Sequence, residues 1–254
     1  MRIYIRFIIV VAFTSLTFCS TSDENVLRIA VASNMQFVVE DWLREFEENT
    51  TVPCQIIMGS SGKLASQIIE GAPYDILISA DTVYPHMVYR NLSLIQPPKV
   101  YAYGKLVLGS PTHPHLTLQS LTNSDVHKIA IANPEVAPYG KLSLACLQKL
   151  ELLDSLKTKL VYGENVTQVN QFLETKAVEV GITCQSAKYN TVSGGKSLYW
   201  VAVPDSLYEP IPQSYLLLVD EFSKKRPLVL QFENYLNSSK ARAILKKYDY
   251  LLPR

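Results

Sequence analysis

The 254-residue chain lacks most of the features that would declare a function outright. Its four cysteines, Cys19, Cys54, Cys146 and Cys184, include no Cys-x-x-Cys pair, which excludes a zinc knuckle or a dithiol redox motif. The histidines, His86, His113, His115 and His127, never form His-Glu-x-x-His, so no metalloprotease-type zinc site is encoded. Charge of one sign is also missing: 24 Lys and Arg stand against 23 Asp and Glu, spread along the chain. Without a basic stripe, nucleic acid is not an expected partner. No Gly-x-Ser-x-Gly elbow occurs, and Ser60-Ser61 has no identifiable base partner in the sequence. The carboxylates Asp75/Asp81 and Glu45/Glu47/Glu48 read as strand-end, capping and solvated-face residues, so an enzyme is not expected. The apolar run Phe7 to Phe18 is too short to span a bilayer as a helix. Arg2 and Arg6 precede it and small polar residues follow, so residues 1–22 read as a secretory signal peptide and the mature protein as exported.

What is present is an ordinary globular composition, 48% hydrophobic and 19% charged, long enough for two compact lobes. Strand-like and helix-like patterns alternate. Val26 to Ala32 is a buried-type strand, followed by helical spacing at Met35, Val38, Val39, Trp42, Leu43 and Phe46, with Ser33 or Asn34 as the natural N-cap. Val52 to Met58 and Leu64, Ala65, Ile68 and Ile69 repeat the unit, and Tyr74 to Ser79 is a third strand before a helix carrying Tyr84, Met87 and Val88. Lys99 to Gly109 is too long for one strand of a small sheet and is expected to cross between lobes. A second alternating block follows: strands Lys128 to Ala132, Lys159 to Tyr162 and Val178 to Thr183, with helices opening at Tyr139 and Val166. After strand Trp200 to Val203 and a proline-rich stretch to Pro212, strand Tyr215 to Val219 returns to the first lobe, and two helices end the chain, about 228–237 and 240–248. The domain expectation is a first lobe from 26–105 and 212–254, with a second lobe from 106–211. Such alternation specifies an α/β fold with mainly parallel sheets flanked by helices.

Four junctions carry the functional signal: Ser33-Asn34, Ser60-Ser61-Gly62, Pro138-Tyr139-Gly140 and Glu164-Asn165-Val166. In each, a strand runs through a short polar or glycine-containing loop straight into a helix. A helix start presents unpaired N–H groups and the positive end of the macrodipole, and ligands of open parallel sheets bind beyond the carboxyl ends of the strands. Four starts converging on one cleft would hold a small anion without a counter-charge. Each junction alone would be only a cap and a tight turn. Lys63 and Lys141 each follow a loop glycine, but Gly59-Ser60-Ser61-Gly62-Lys63-Leu64 has two residues between its glycines and Leu after the Lys, so it is not a nucleotide-binding P-loop. Both lysines read as solvated. Glu164 must turn outward while Asn165 caps its helix.

Together with Gly71-Ala72-Pro73-Tyr74-Asp75, Ile78-Ser79-Ala80-Asp81, Tyr103-Gly104-Lys105-Leu106-Val107-Leu108 and Asn133-Pro134-Glu135-Val136-Ala137-Pro138-Tyr139-Gly140, these segments resemble the periplasmic molybdate-binding proteins of ABC importers over essentially the whole mature chain. The resemblance implies a two-lobed type II periplasmic-binding fold with the ligand cleft between lobes. Molybdate or tungstate, with no cofactor, would be held as an oxyanion by Ser33, Asn34, Ser61, Tyr139 and Val166, the last two through main-chain N–H. Ser60, Gly62, Gly140 and Asn165 would support them. It also implies delivery by a monomer to an inner-membrane permease and its ATPase. Leu16-Thr17-Phe18-Cys19 resembles a lipoprotein signal ending before Cys19 except at Phe18, leaving the location open between free periplasmic and lipid-anchored. At the strand-end position where some members place a tyrosine ligand, this sequence has Cys184. Another oxyanion such as sulfate, or an enzyme on the same two-lobed fold, are the competing readings.

Overall fold

The computed structural model describes residues 25–189 and 198–253; the signal-peptide and Cys19 expectations lie outside them. The chain opens with β1 (Leu27–Ala32), a 3-10 turn at Ser33–Met35, α1 (Gln36–Asn49), β2 (Cys54–Gly59), α2 (Ser61–Ile69), β3 (Ile76–Ser79), α3 (Val83–Asn91) and β4 (Lys99–Gly104). Then come β5 (Leu106–Ser110), β6 (Ile129–Ala132), α4 (Pro138–Lys149), the short α5 (Leu153–Leu156), β7 (Leu160–Gly163), α6 (Val166–Glu174), β8 (Val180–Cys184) and β9 (Tyr199–Ala202). β10 (Ile211–Leu217), α7 (Arg226–Leu236) and α8 (Ser239–Lys247) complete it.

Two five-stranded sheets result, ordered β2-β1-β3-β10-β4 and β7-β6-β8-β5-β9. In each, the first three strands are parallel and the fourth runs antiparallel to them. The long extended run divides at Lys105, with β4 in the first sheet and β5 in the second. β1, apolar but for Arg28 near its start, and the fully apolar β6 sit inside their sheets and are covered on both faces, as near-continuous apolar strands require. The first lobe is closed by the C-terminal helices. Trp42 donates its indole N–H to the Ala241 carbonyl at 3.1 Å, and Phe46 meets the Phe232 ring edge-on at 5.0 Å. Lys225 joins this end to the first strands, bonding the Val26 carbonyl and the Asp75 carboxylate, which also accepts the Arg28 N–H.

The return strand begins earlier than its apolar residues indicate. β10 starts at Ile211 inside the proline-rich stretch, with Pro212 opposite Tyr103 and a register shift between Gln213 and Ser214. A bulge of this kind accommodates a residue that cannot donate to the ladder, and it carries Gln213 into the buried interior.

Candidate functional site

Each of the four junctions is a parallel strand's carboxyl end feeding a helix. Ser33 and Asn34 follow β1, Ser60 and Ser61 follow β2, Pro138 and Tyr139 lie in the loop and helix after β6, and Asn165 and Val166 follow β7. Ser33, Asn34, Ser60, Ser61, Tyr139 and Val166 meet around one small buried cavity of about 10 Å³, completed by the apolar groups of Ala32, Gly59, Ala80, Ala137 and Pro138. The five residues expected to contact an anion are thus brought together, from both sheets. Gly62, Gly140 and Asn165 are not part of the wall.

The donors are arranged by ordinary helix-start chemistry. Pro138 occupies the first position of α4, where a missing N–H costs nothing, which leaves the Tyr139 N–H as the helix's first free donor. Asn165 caps α6 by accepting the Gln168 N–H at 3.2 Å, leaving the Val166 N–H to the cavity end. Ser61 Oγ accepts the Ala80 N–H at 3.0 Å, which fixes the oxygen while its own proton stays free to donate. Ser60 Oγ is buried and without a partner. Glu164 turns outward to pair with Lys63 at 2.8 Å, and Lys141 is exposed.

Two expectations need correction. Neither Ser33 nor Asn34 caps α1 through its side chain: Ser33–Met35 forms a separate 3-10 turn, and no side-chain cap bond is made at either start. Tertiary contacts claim Asn34 instead. Its Nδ2 donates to Gln213 Oε1 and to the Tyr250 hydroxyl, both at 3.0 Å, and its carbonyl accepts from Ser186 Oγ at 2.7 Å and Tyr250 at 2.9 Å. Second, the Gly62 N–H does not face the cavity; it donates to the Val136 carbonyl of the other lobe at 2.9 Å. Gly140 allows a close backbone approach, since a Cβ there would lie 2.0 Å from the Ala132 carbonyl oxygen.

Behind the cavity lies a hydrogen-bonded layer that no sequence motif announced. Gln213 accepts from Asn34 and Tyr101 and donates to the Tyr139 hydroxyl, which in turn reaches Gln185 Oε1 at 3.3 Å. Only the isolated polar residues Gln185 and Gln213, set within apolar strands or strand ends, hinted at it. Cys184 is buried with Sγ 3.3 Å from Ser186 Oγ and is not a wall residue. A larger depression of about 610 Å³ lies on the far side of Gln185 and Tyr250. Its Lys105 and Lys188 are paired with Asp205 and Asp249, and no strand end or helix start of the four junctions opens into it. Among the described residues, no group of three His, Cys, Asp or Glu is placed to hold a metal ion.

The wall contains no carboxylate, histidine, lysine or arginine. Burial, aided by the neighbouring Tyr250, holds the Tyr139 phenol well above its usual range, and burial likewise raises the Cys184 thiol. Both stay neutral near physiological pH. Anion affinity is therefore expected to be flat between about pH 6 and 8, as titration calorimetry across that interval would read; a tenfold change would mean that an ionising group touches the guest.

Two lobes, each offering helix starts to a cavity that both enclose, define a solute-binding protein. The chain belongs to the bacterial extracellular solute-binding proteins, whose family model matches residues 27–251. It is 33% identical over 229 residues to the molybdate-binding protein ModA of Azotobacter vinelandii, covering 88% of this chain and 89% of that one. The Rhodobacter capsulatus molybdate-binding protein ModA is 31% identical over 224 residues, with 87% and 86% covered. In structure, the periplasmic molybdate-binding protein of A. vinelandii superposes with a TM-score of 0.80 at 29% identity, covering 90% of this chain and all of that one.

Proposed function

We propose that this protein binds molybdate, and tungstate as well, in the periplasm and delivers it to an ABC permease and its ATPase. The lobes are assigned as 26–105 with 212–254, and 106–211. The guest is gripped by Ser33, Asn34, Ser61, Tyr139 and Val166, with Ser60 as a further hydroxyl donor. The observation that carries this reading is that these residues, from both lobes, line one small cavity with hydroxyls and helix-start N–H groups, and that its wall has no cation. Relatives at 33% and 31% identity are molybdate-binding proteins.

About 10 Å³ holds no more than one water, so the walls must part to admit four oxygens; a cage of this kind then exchanges the anion's hydration for fixed dipoles, and selectivity rests on fit. Molybdate and tungstate have nearly the same shape. Sulfate is smaller and leaves donors stretched, while protonated phosphate brings a donor to a wall of donors. Asn34 Oδ1 is buried beside the cavity without a partner. Turning the Asn34 and Gln213 amides over together would bring an N–H there, at the cost of the contact with Tyr250, whose one proton already goes to the Asn34 carbonyl, and of the Tyr139–Gln185 bond.

Titration calorimetry with molybdate, tungstate, sulfate and phosphate tests the reading. Molybdate and tungstate are expected to bind at least about 100-fold tighter than sulfate, the equivalent of one or two donors left unpaired. Preferential sulfate binding refutes it and favours the competing oxyanion assignment.

A further inference from the structure

We infer that Gly62 and Tyr84 are affinity-determining positioning residues that latch the two lobes shut without touching the guest; this rests on the oxyanion-binding reading above. Adjacent carbonyls of one loop of the second lobe each take a donor from the first. Val136 accepts the Gly62 N–H at 2.9 Å, and Glu135 accepts the Tyr84 hydroxyl at 2.9 Å. The loop is rigid: Asn133 donates to the Gly163 carbonyl, its Oδ1 accepts the Glu135 N–H, and its carbonyl accepts the Val136 and Ala137 N–H groups. It leads directly into Pro138 and Tyr139 of the cavity wall.

The contact is steep in distance. A Cβ on Gly62 would lie 2.9 Å from the Val136 oxygen and 2.9 Å from the Tyr84 ring and hydroxyl, so only glycine lets the second helix's first turn reach the opposite backbone. Ser61 is the preceding residue. Whatever holds Gly62 off Val136 therefore holds the Ser61 donors off the Tyr139 and Val166 donors, and they cease to converge on one guest. The rim pair Lys63–Glu164 spans the same gap, but its side chains are 51% and 50% exposed, and an ion pair so solvated adds little.

Stopped-flow binding of molybdate, with small-angle scattering of the molybdate-saturated protein, tests the latch. Gly62→Ala is expected to raise Kd about 10- to 150-fold, through faster dissociation and with an unchanged association rate, and to enlarge the radius of gyration of the saturated form. Tyr84→Phe keeps the ring and removes one closing bond, so dissociation speeds up about 2- to 12-fold. The melting temperature without molybdate should fall by no more than about 6 °C in Tyr84→Phe. Dissociation rates equal to wild type in both variants overturn the latch. Failure of the wild type to bind molybdate overturns the oxyanion reading instead, so the two failures are distinguishable.

Discussion

Replacing Gly140 by alanine is expected to lower the melting temperature by roughly 6–12 °C, the equivalent of about 3 kcal/mol of overpacking, and to abolish tight molybdate binding. The added Cβ would stand 2.0 Å from the Ala132 carbonyl oxygen, 2.7 Å from its carbon and 3.1 Å from the Asn133 carbonyl carbon. All three are backbone atoms, so no rotamer change relieves the clash. Either the first turn of α4 lifts off the end of β6 or β6 itself is displaced. That turn carries the Tyr139 N–H, and the next turn is tied to it by the bond from Ser143 Oγ to the Tyr139 carbonyl at 2.7 Å. Stability and affinity thus fall together. Circular dichroism melting of the unliganded variant, followed by titration calorimetry, reads both, and a melting temperature within 2 °C of wild type would show that the approach of α4 to β6 is looser than described.

The second large effect is chiefly on affinity. Ser61→Ala is expected to weaken molybdate binding by about 1–3 kcal/mol, some 5- to 150-fold in Kd. The hydroxyl has two tasks. Its oxygen satisfies the buried Ala80 N–H, and its proton is the donor left over for the guest. Removing it deletes a ligand contact and strands the Ala80 amide. Ser60 provides a contrast, because its buried hydroxyl has no protein partner. Ser60→Ala removes an unsatisfied group and should leave the unliganded protein at least as stable, with any loss confined to binding. Calorimetry on both variants separates the roles; an unchanged Kd in Ser61→Ala removes Ser61 from the cage.

Much of this architecture was legible in the sequence because it rests on local patterns. The apolar strands β1 and β6, the amphipathic α1 and α6, and the strand-turn-helix junctions follow from periodicity and cap residues within a few positions of one another. Asn165 is such a case: its place one residue before Val166 is enough to make it a cap, and it is one. Asn34 has the same local look and a different fate. Its partners, Gln213 and Tyr250, are 179 and 216 residues away in sequence, and three-dimensional packing overrides the capping preference. No periodicity reports contacts at such separations. The start of β10 was hidden for a related reason, since Pro212 reads as the end of a loop, and only the bulge beside Gln213 makes it tolerable inside a strand.

The glycines show the same limit. Gly62 and Gly140 stand where donors to an anion are wanted, and the sequence supports that use of them. In the folded chain each is pressed against a backbone carbonyl, Val136 in one case and Ala132 in the other, and the Gly62 N–H is spent on Val136. Which of two helix-start amides faces the guest and which faces protein depends on how the lobes meet. Nothing within one junction encodes that.

Crystals grown with molybdate and measured at the molybdenum absorption edge would locate the guest. A single anomalous peak is expected in the cavity bounded by Ser33, Asn34, Ser61, Tyr139 and Val166, ringed by N–H and O–H donors from both lobes, with no Lys or Arg nitrogen in hydrogen-bonding range. A peak beside Lys105 and Lys188 in the larger depression, or one held by a lysine ammonium, would contradict this placement.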